Sequence, residues 1–304
     1  MLQLAVKVDV DTAIGLKEGV PNLLGLLRRH AVPASFFIAF GPDNSGKAIR
    51  RIFTRGFLRK MWRTNPLQIY GLKTLLYGTF LPPPVIGEVA PRLLASVVAE
   101  GHELGIHGYD HVLWQDRLDR LGETAIAREI ERAIALYARA LKASPQSFAA
   151  PGWQANRDSL AAQDRQGFLY CSDTRGRFPF MPTVQGRVYR TLQIPTTLPT
   201  LDEVLGLAGM RGEAVNDFFL SQLRHDRLNV HTIHAEVEGR AHLDLFESLL
   251  RRLEARGVAY VRLRDIAQAL LEQGREKIPR SSIQPRPVPG RAGAVACQVV
   301  DERT

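Results

Sequence analysis

Apolar and polar positions along the chain follow two alternating rhythms. Residues 2–8 place Leu2, Leu4, Val6 and Val8 on every second position, which predicts a buried strand. Residues 21–30 carry proline near the start and Leu23, Leu24 and Leu27 on one face, which predicts a helix, and residues 34–40 predict the next strand. The order resumes with a helix near 90–100, a strand near 103–107, and a helix over about 124–141 striped by Ile126, Ile130, Ala133, Ile134 and Tyr137. Short strands are expected at 147–150, 170–172 and 229–234. A helix with Phe246, Leu249, Leu250 and Leu253 inward follows, then a strand at 258–262. Such a series implies an α/β fold of parallel strands with crossover helices, and barrels of this kind carry their chemistry at the C-terminal strand ends.

Two regions break the rhythm. Residues 43–87 read as an insertion, and the tail from Gly274 holds four prolines and several arginines without apolar periodicity. The expected organisation is one domain over 1–273 carrying the insertion, followed by an irregular tail over 274–304 that wraps the surface or is partly disordered.

Composition narrows the class. A chain of 304 residues that is 45% hydrophobic and 23% charged can bury an enzyme-sized core. Its 40 Lys and Arg against 31 Asp and Glu give a net charge of +9, which favours anionic partners. Much of that charge falls in the insertion. Between Asp43 and Glu88 there is no acidic residue, whereas Lys47, Arg50, Arg51, Arg55, Arg59, Lys60, Arg63 and Lys73 all occur, interleaved with Trp62, Tyr70, Tyr77 and Phe80. This reads as an interfacial element on an anionic leaflet, with a nucleic-acid patch or a solvated basic helix as competing readings. Two distant cysteines, Cys171 and Cys297, suggest neither a disulfide framework nor a zinc ribbon and fit a reducing compartment. The first residues lack the pattern of a signal peptide, and no apolar run reaches the roughly 18 residues of a membrane span.

The polar residues at the strand ends carry the chemistry. Asp9 and Asp11 alternate with Val8 and Val10, so both carboxylates project to one side of the strand. Alone, such a pair reads equally well as turn residues. His107 and His111 can present two imidazoles to one ion, and with a carboxylate they form a facial metal site. In Val230–His234 the alternation sets Thr232 and His234 on one side, with His234 at the strand end.

These segments together resemble the NodB-type polysaccharide deacetylase superfamily, whose five motifs occur in order between residues 6 and 234. The resemblance implies a distorted (β/α) barrel and a metal-dependent hydrolase. It implies Asp9 as general base, one divalent ion (zinc, cobalt, manganese, nickel or iron) on Asp11, His107 and His111, and His234 as general acid. The fourth motif's aspartate matches Asp173, expected to hold the His234 imidazole. In the third motif, Ala149 stands where the family has an arginine that orients the base, and Arg175 is the candidate for the missing guanidinium. A backbone N–H near Gly152 or Trp153 is expected to hold the oxyanion.

Further segments, Gly41–Asn44, Gln193–Thr200 and His234–Gly239, resemble one branch of that superfamily, which deformylates 4-deoxy-4-formamido-L-arabinose carried on undecaprenyl phosphate for lipid A modification and polymyxin resistance. The branch implies a polyprenyl-phosphate-linked sugar as substrate. It also implies a cytoplasmic protein associated peripherally with the inner membrane through Arg59, Lys60, Trp62, Arg63, Tyr70, Tyr77 and Phe80, and no nucleic-acid partner. Glu236 and Glu238 are weighed as contacts to the new ammonium or a sugar hydroxyl, against a turn before Gly239. The alternatives are a deacetylase of chitin-like or peptidoglycan sugars and a non-catalytic basic membrane-binding module. An Asp-x-Asp phosphatase is disfavoured because it leaves three histidines idle.

Overall fold

The computed structural model describes residues 2–48 and 66–300. Twelve strands are present among the described residues. The first five, β1 (Gln3–Val10), β2 (Ala34–Ile38), β3 (Glu103–Ile106), β4 (Ser147–Phe148) and β5 (Tyr170–Cys171), follow the predicted order. The remainder are β6 (Met181–Val184), β7 (Arg187–Val188), β8 (Leu192–Gln193), β9 (Asn229–His234), β10 (Ala259–Tyr260), β11 (Arg280–Pro287) and β12 (Ala294–Gln298).

An eight-stranded parallel sheet forms the body of the molecule, running β1-β2-β3-β4-β5-β8, with β9 and β10 also paired to β1. Leu4 is in register with both Asn229 and Tyr260, so β9 and β10 lie on opposite edges of the first strand. Beyond β8 the chain turns back to β9. The Thr197 and Leu198 amides donate to the Val230 carbonyl at 3.2 and 3.1 Å, and the Val230 amide donates to Thr197 Oγ1 at 2.8 Å. These bonds close the curved sheet into a distorted barrel.

Alternation along β1 divides the core. Leu4, Val6, Val8 and Val10 join the large cluster under the helices, whereas Ala5 packs with Phe37, Ala149, Tyr170 and Val230 inside the barrel. Lys7 and Asp9 share the phase of Ala5. The helices that cover the outside match the predicted stripes, as in Val20–Arg29, Glu123–Leu141 and Leu243–Glu254.

The tail, without apolar periodicity in sequence, forms a hairpin. Strand β11 pairs antiparallel with β12 and parallel with β6, which itself pairs with β7, giving a second, four-stranded sheet. Most β11 side chains are exposed or half-buried, so backbone pairing and not burial holds the strand, and its prolines sit where an edge tolerates them. Within the insertion, a helix at Pro66–Leu76 is kinked at Gly71, which has φ 71°. Ile69 packs into the core, while Leu67, Leu72 and Phe80 are 58, 66 and 84% exposed. Arg59, Lys60, Trp62 and Arg63 lie outside the described residues. Among the described residues, no helix is long and apolar enough to cross a membrane.

Candidate active site

The ends of β1, β2, β3 and β9 converge on one cluster. Asp9 is in register with His234 on one side and Phe37 on the other, which sets a carboxylate beside an imidazole although the two are far apart in sequence. His107 leaves β3 with its amide bonded to the Ile38 carbonyl at 2.7 Å. Gly108 then takes a left-handed φ of 75°, and Asp110 caps the next helix by accepting from the Leu113 amide at 3.0 Å. His111 is the first residue of that helix. The turn between strand and helix therefore brings both imidazoles to one point.

Around that point Asp11, His107 and His111 hold their ligand atoms within 4.8 Å of one another. His107 Nε2 is 3.3 Å from Asp11 Oδ1, and His111 Nε2 is 3.3 Å from Asp11 Oδ2. His107 Nδ1 lies 2.8 Å from the Ala149 carbonyl, an acceptor, which fixes the tautomer with its lone pair on Nε2. A lone pair facing a carboxylate repels it unless a proton or a cation lies between them. The donor set, two imidazoles and one carboxylate, fits a divalent transition metal.

The loop carrying Asp11 is held from behind. Glu236 Oε1 accepts from the Asp11 amide at 2.9 Å and from the Thr12 amide and hydroxyl at 2.7 Å each. Glu238 Oε2 accepts from the His234 amide at 2.8 Å. Both side chains are buried and hold the backbone at Asp11, Thr12 and His234, so they position the site. Burial and the neighbouring Asp11 charge push Glu236 up to about 8, and burial pushes Glu238 up to about 7. The segment Gly41–Asn44 ties the same loops together: Asp43 accepts from the Ala13 amide at 2.9 Å, and Asn44 donates to Asp110 at 2.7 Å. Gly41 is required there, since a Cβ would meet the Tyr109 carbonyl oxygen at 2.4 Å.

Burial lowers the His234 imidazole, and the Asp11, Asp202, Asp9 and Glu238 carboxylates outweigh it, so its pKa is raised. The expected partner Asp173 is engaged elsewhere. Its Oδ2 accepts from Gln193 Nε2 at 2.8 Å, and burial, opposed by Gln193, Gln163 and Lys7, raises it to about 6. Arg175 is likewise committed: it donates to both Glu203 oxygens at 2.9 and 3.0 Å and to the Leu198 carbonyl at 2.8 Å. The Trp153 amide donates to the Ala150 carbonyl at 3.1 Å and is not free for an oxyanion. Trp153 has a positive φ of 53°, and its buried ring stands edge-on to His234, with centroids 6.4 Å apart. Such strain in a non-glycine residue clusters at functional loops. Gly152 beside it adopts φ 61° and packs against Gln115.

Three residues that sequence reasoning passed over complete the surroundings. Lys7, fully buried, places Nζ 3.4 Å from Asp9 Oδ2. Glu203, also buried, pairs with Arg175 and lies 3.6 Å from Arg291 of the tail hairpin, whose guanidinium sits 4.5 Å from the Trp153 ring centroid. The signal for Lys7 was present: it is the one cation inside the apolar strand and shares the phase of Asp9 and Asp11.

Comparison with known proteins gives a consistent picture. The sequence pattern of a family described as polysaccharide deacetylase matches residues 6–171. A relative from Shewanella sediminis (strain HAW-EB3), named probable 4-deoxy-4-formamido-L-arabinose-phosphoundecaprenol deformylase ArnD, is 36% identical over 85% of this chain and 84% of its own. One of the same name from Wigglesworthia glossinidia brevipalpis is 34% identical over 94% of this chain and 98% of its own. Among solved structures, a putative polysaccharide deacetylase from Mycobacterium smegmatis superposes with a TM-score of 0.62 at 20% identity, covering 94% of both chains. A probable polysaccharide deacetylase from Pseudomonas aeruginosa PAO1 superposes at 0.60 with 17% identity, covering 90% of this chain and 93% of its own. The structural likenesses establish the fold.

Proposed function

Because the chain belongs to the polysaccharide deacetylase family, we propose that it hydrolyses the formamide of a 4-deoxy-4-formamido-L-arabinose carried on undecaprenyl phosphate, releasing formate and the free amine. The observation that carries the hydrolase reading is the geometry of Asp11, His107 and His111 beside Asp9 and His234. The named relatives, similar over most of their length, supply the substrate class.

Asp11, His107 and His111 would hold a divalent ion, which when bound acidifies water and polarises the amide carbonyl. Asp9, in the barrel mouth, takes the proton of the attacking water. His234, whose pKa burial lowers and the surrounding carboxylates raise on balance, gives a proton to the departing nitrogen, without which an amine leaves poorly. Trp153 stands edge-on beside His234. Glu236 and Glu238 fix the backbone of Asp11 and His234, so that base, ligand and acid keep their spacing.

A polyprenyl-linked substrate lies in a bilayer, so the enzyme works as a peripheral protein at the cytoplasmic face of the inner membrane. The exposed Leu67, Leu72 and Phe80, together with the exposed Lys73 of the same insertion, suit an anionic leaflet. Of the expected contact residues, Tyr70 packs partly against the core and Tyr77 is half-buried, so Phe80 leads the apolar contact.

The decisive test supplies purified protein with the formamido lipid and with its N-acetyl counterpart, with and without a chelator, and measures the acid released. Formate release abolished by the chelator and restored by zinc, cobalt or manganese is expected. Acetate released faster than formate would refute the deformylase assignment, and turnover indifferent to chelator would refute the metal.

A further inference from the structure

We propose that Lys7 is the positioning residue of Asp9, taking from the floor of the barrel the part that an arginine of the third motif plays elsewhere in the family. This rests on the amide-hydrolase reading above. Ala149 occupies the arginine's place and is wholly buried among apolar residues, so it offers Asp9 no charge. Arg175 is bound to Glu203 and Leu198. Lys7 does reach Asp9, because residues two apart on a strand point the same way, and from the layer beneath its amine rises to 3.4 Å from Asp9 Oδ2.

The amine is itself held in place. Nζ donates to the Ser172 carbonyl at 3.2 Å and lies 5.5 Å from the ring centroids of both Phe37 and Trp153. Two aromatic faces and two acceptors leave it few other positions, and both acceptors need a donor. Burial pushes its pKa down, and the Asp9 and Asp173 carboxylates hold it up against that loss. At Asp9 the outcome is an asymmetric carboxylate: Oδ2 is engaged, while Oδ1 is buried with no hydrogen-bond partner among the described residues. Oδ1 is therefore the oxygen left to receive a proton. Lys7 contributes no group to the substrate; it acts through the orientation of Asp9.

The test uses the full chain loaded with zinc and a water-soluble methyl glycoside of a formamido sugar, following formate. Lys7→Met keeps the length and removes the donor. Its kcat should fall about 100-fold, the scale of a misplaced general base, with KM within about twofold and zinc stoichiometry unchanged. Exchange of two partners, Lys7→Ala with Ala149→Lys, conserves volume and returns an amine from the family's own position. It should recover at least about tenfold over Lys7→Ala alone. Crystals of Lys7→Met should show the Asp9 carboxylate rotated. An unchanged kcat in Lys7→Met, a loss that appears equally in KM and zinc content, or a folded exchange variant no more active than Lys7→Ala would each overturn the proposal. If the wild-type protein releases neither formate nor acetate, the functional reading falls; the Asp9 carboxylate of Lys7→Met then decides the positioning claim separately, and an unrotated carboxylate refutes it.

Discussion

His231 sits on the opposite face of β9 from His234, buried against Phe219 with ring centroids 4.7 Å apart. Burial, with the charges of Arg175 and His234, lowers it to about 4 from the ordinary 6.5. A histidine whose folded pKa is depressed binds fewer protons than in the unfolded chain, so stability falls as pH drops from 6.5 towards 4. That shift corresponds to about 3 kcal/mol. His231→Phe should remove most of this acid sensitivity while keeping the packing on Phe219, and urea unfolding at pH 7 and pH 4.5 measures it; equal acid losses in both proteins would refute the assignment. A second residue-level expectation concerns Asp11→Asn, which should lose bound zinc by metal analysis and reduce turnover by about 1000-fold or more. The residues that sequence revealed are those whose spacing has a geometric meaning: Asp9 and Asp11 two apart on a strand, His107 and His111 across one turn. Arg175 was misjudged because closeness in sequence to Asp173 does not say where a long side chain ends, and it ends on Glu203. Lys7 was passed over although its phase matches that of Asp9, because the sequence does not show that Asp9 and the Ser172 carbonyl are the acceptors that await it inside the barrel.

Among the elements, the helix Pro66–Leu76 has the opposite character from the buried helices. Its kink at Gly71 turns Ile69 inward, and Leu72 is left outside. Replacing Leu72 and Phe80 together with serine should weaken sedimentation with anionic liposomes by about tenfold or more, since each loses the burial of a large apolar side chain, while hydrolysis of a water-soluble formamide stays as it was. Undiminished sedimentation would remove this helix from the membrane model. The tail hairpin shows why some elements escape pattern reading. Strand β11 alternates little between buried and exposed positions, and its order comes from pairing with β6 and β12. Gln298 anchors it, accepting from the Arg177 amide at 2.8 Å and donating to the Phe178 carbonyl at 3.2 Å. Gln298→Ala should destabilise the protein by about 1 kcal/mol, through the loss of two partly buried hydrogen bonds to the backbone, and thermal unfolding reads that directly. An unchanged midpoint would place the anchor elsewhere.

At the scale of the whole molecule, the parallel order of β1 to β4 was legible, because the helices that connect these strands carry apolar stripes, whereas the polar helix Arg157–Gln166 before β5 announced itself by none. Closure of the barrel was not, since it depends on backbone amides of Thr197 and Leu198 that no side-chain pattern announces. The placement of the first strand among its neighbours has a further consequence. Asp9 meets His234 by register alone, and β1 gains its second full edge only when β9 arrives. On the proposed mechanism, a chain emerging from the ribosome thus holds its general base and its proton donor apart until most of the polypeptide has been made. Base and acid would then come together only as the barrel completes its folding.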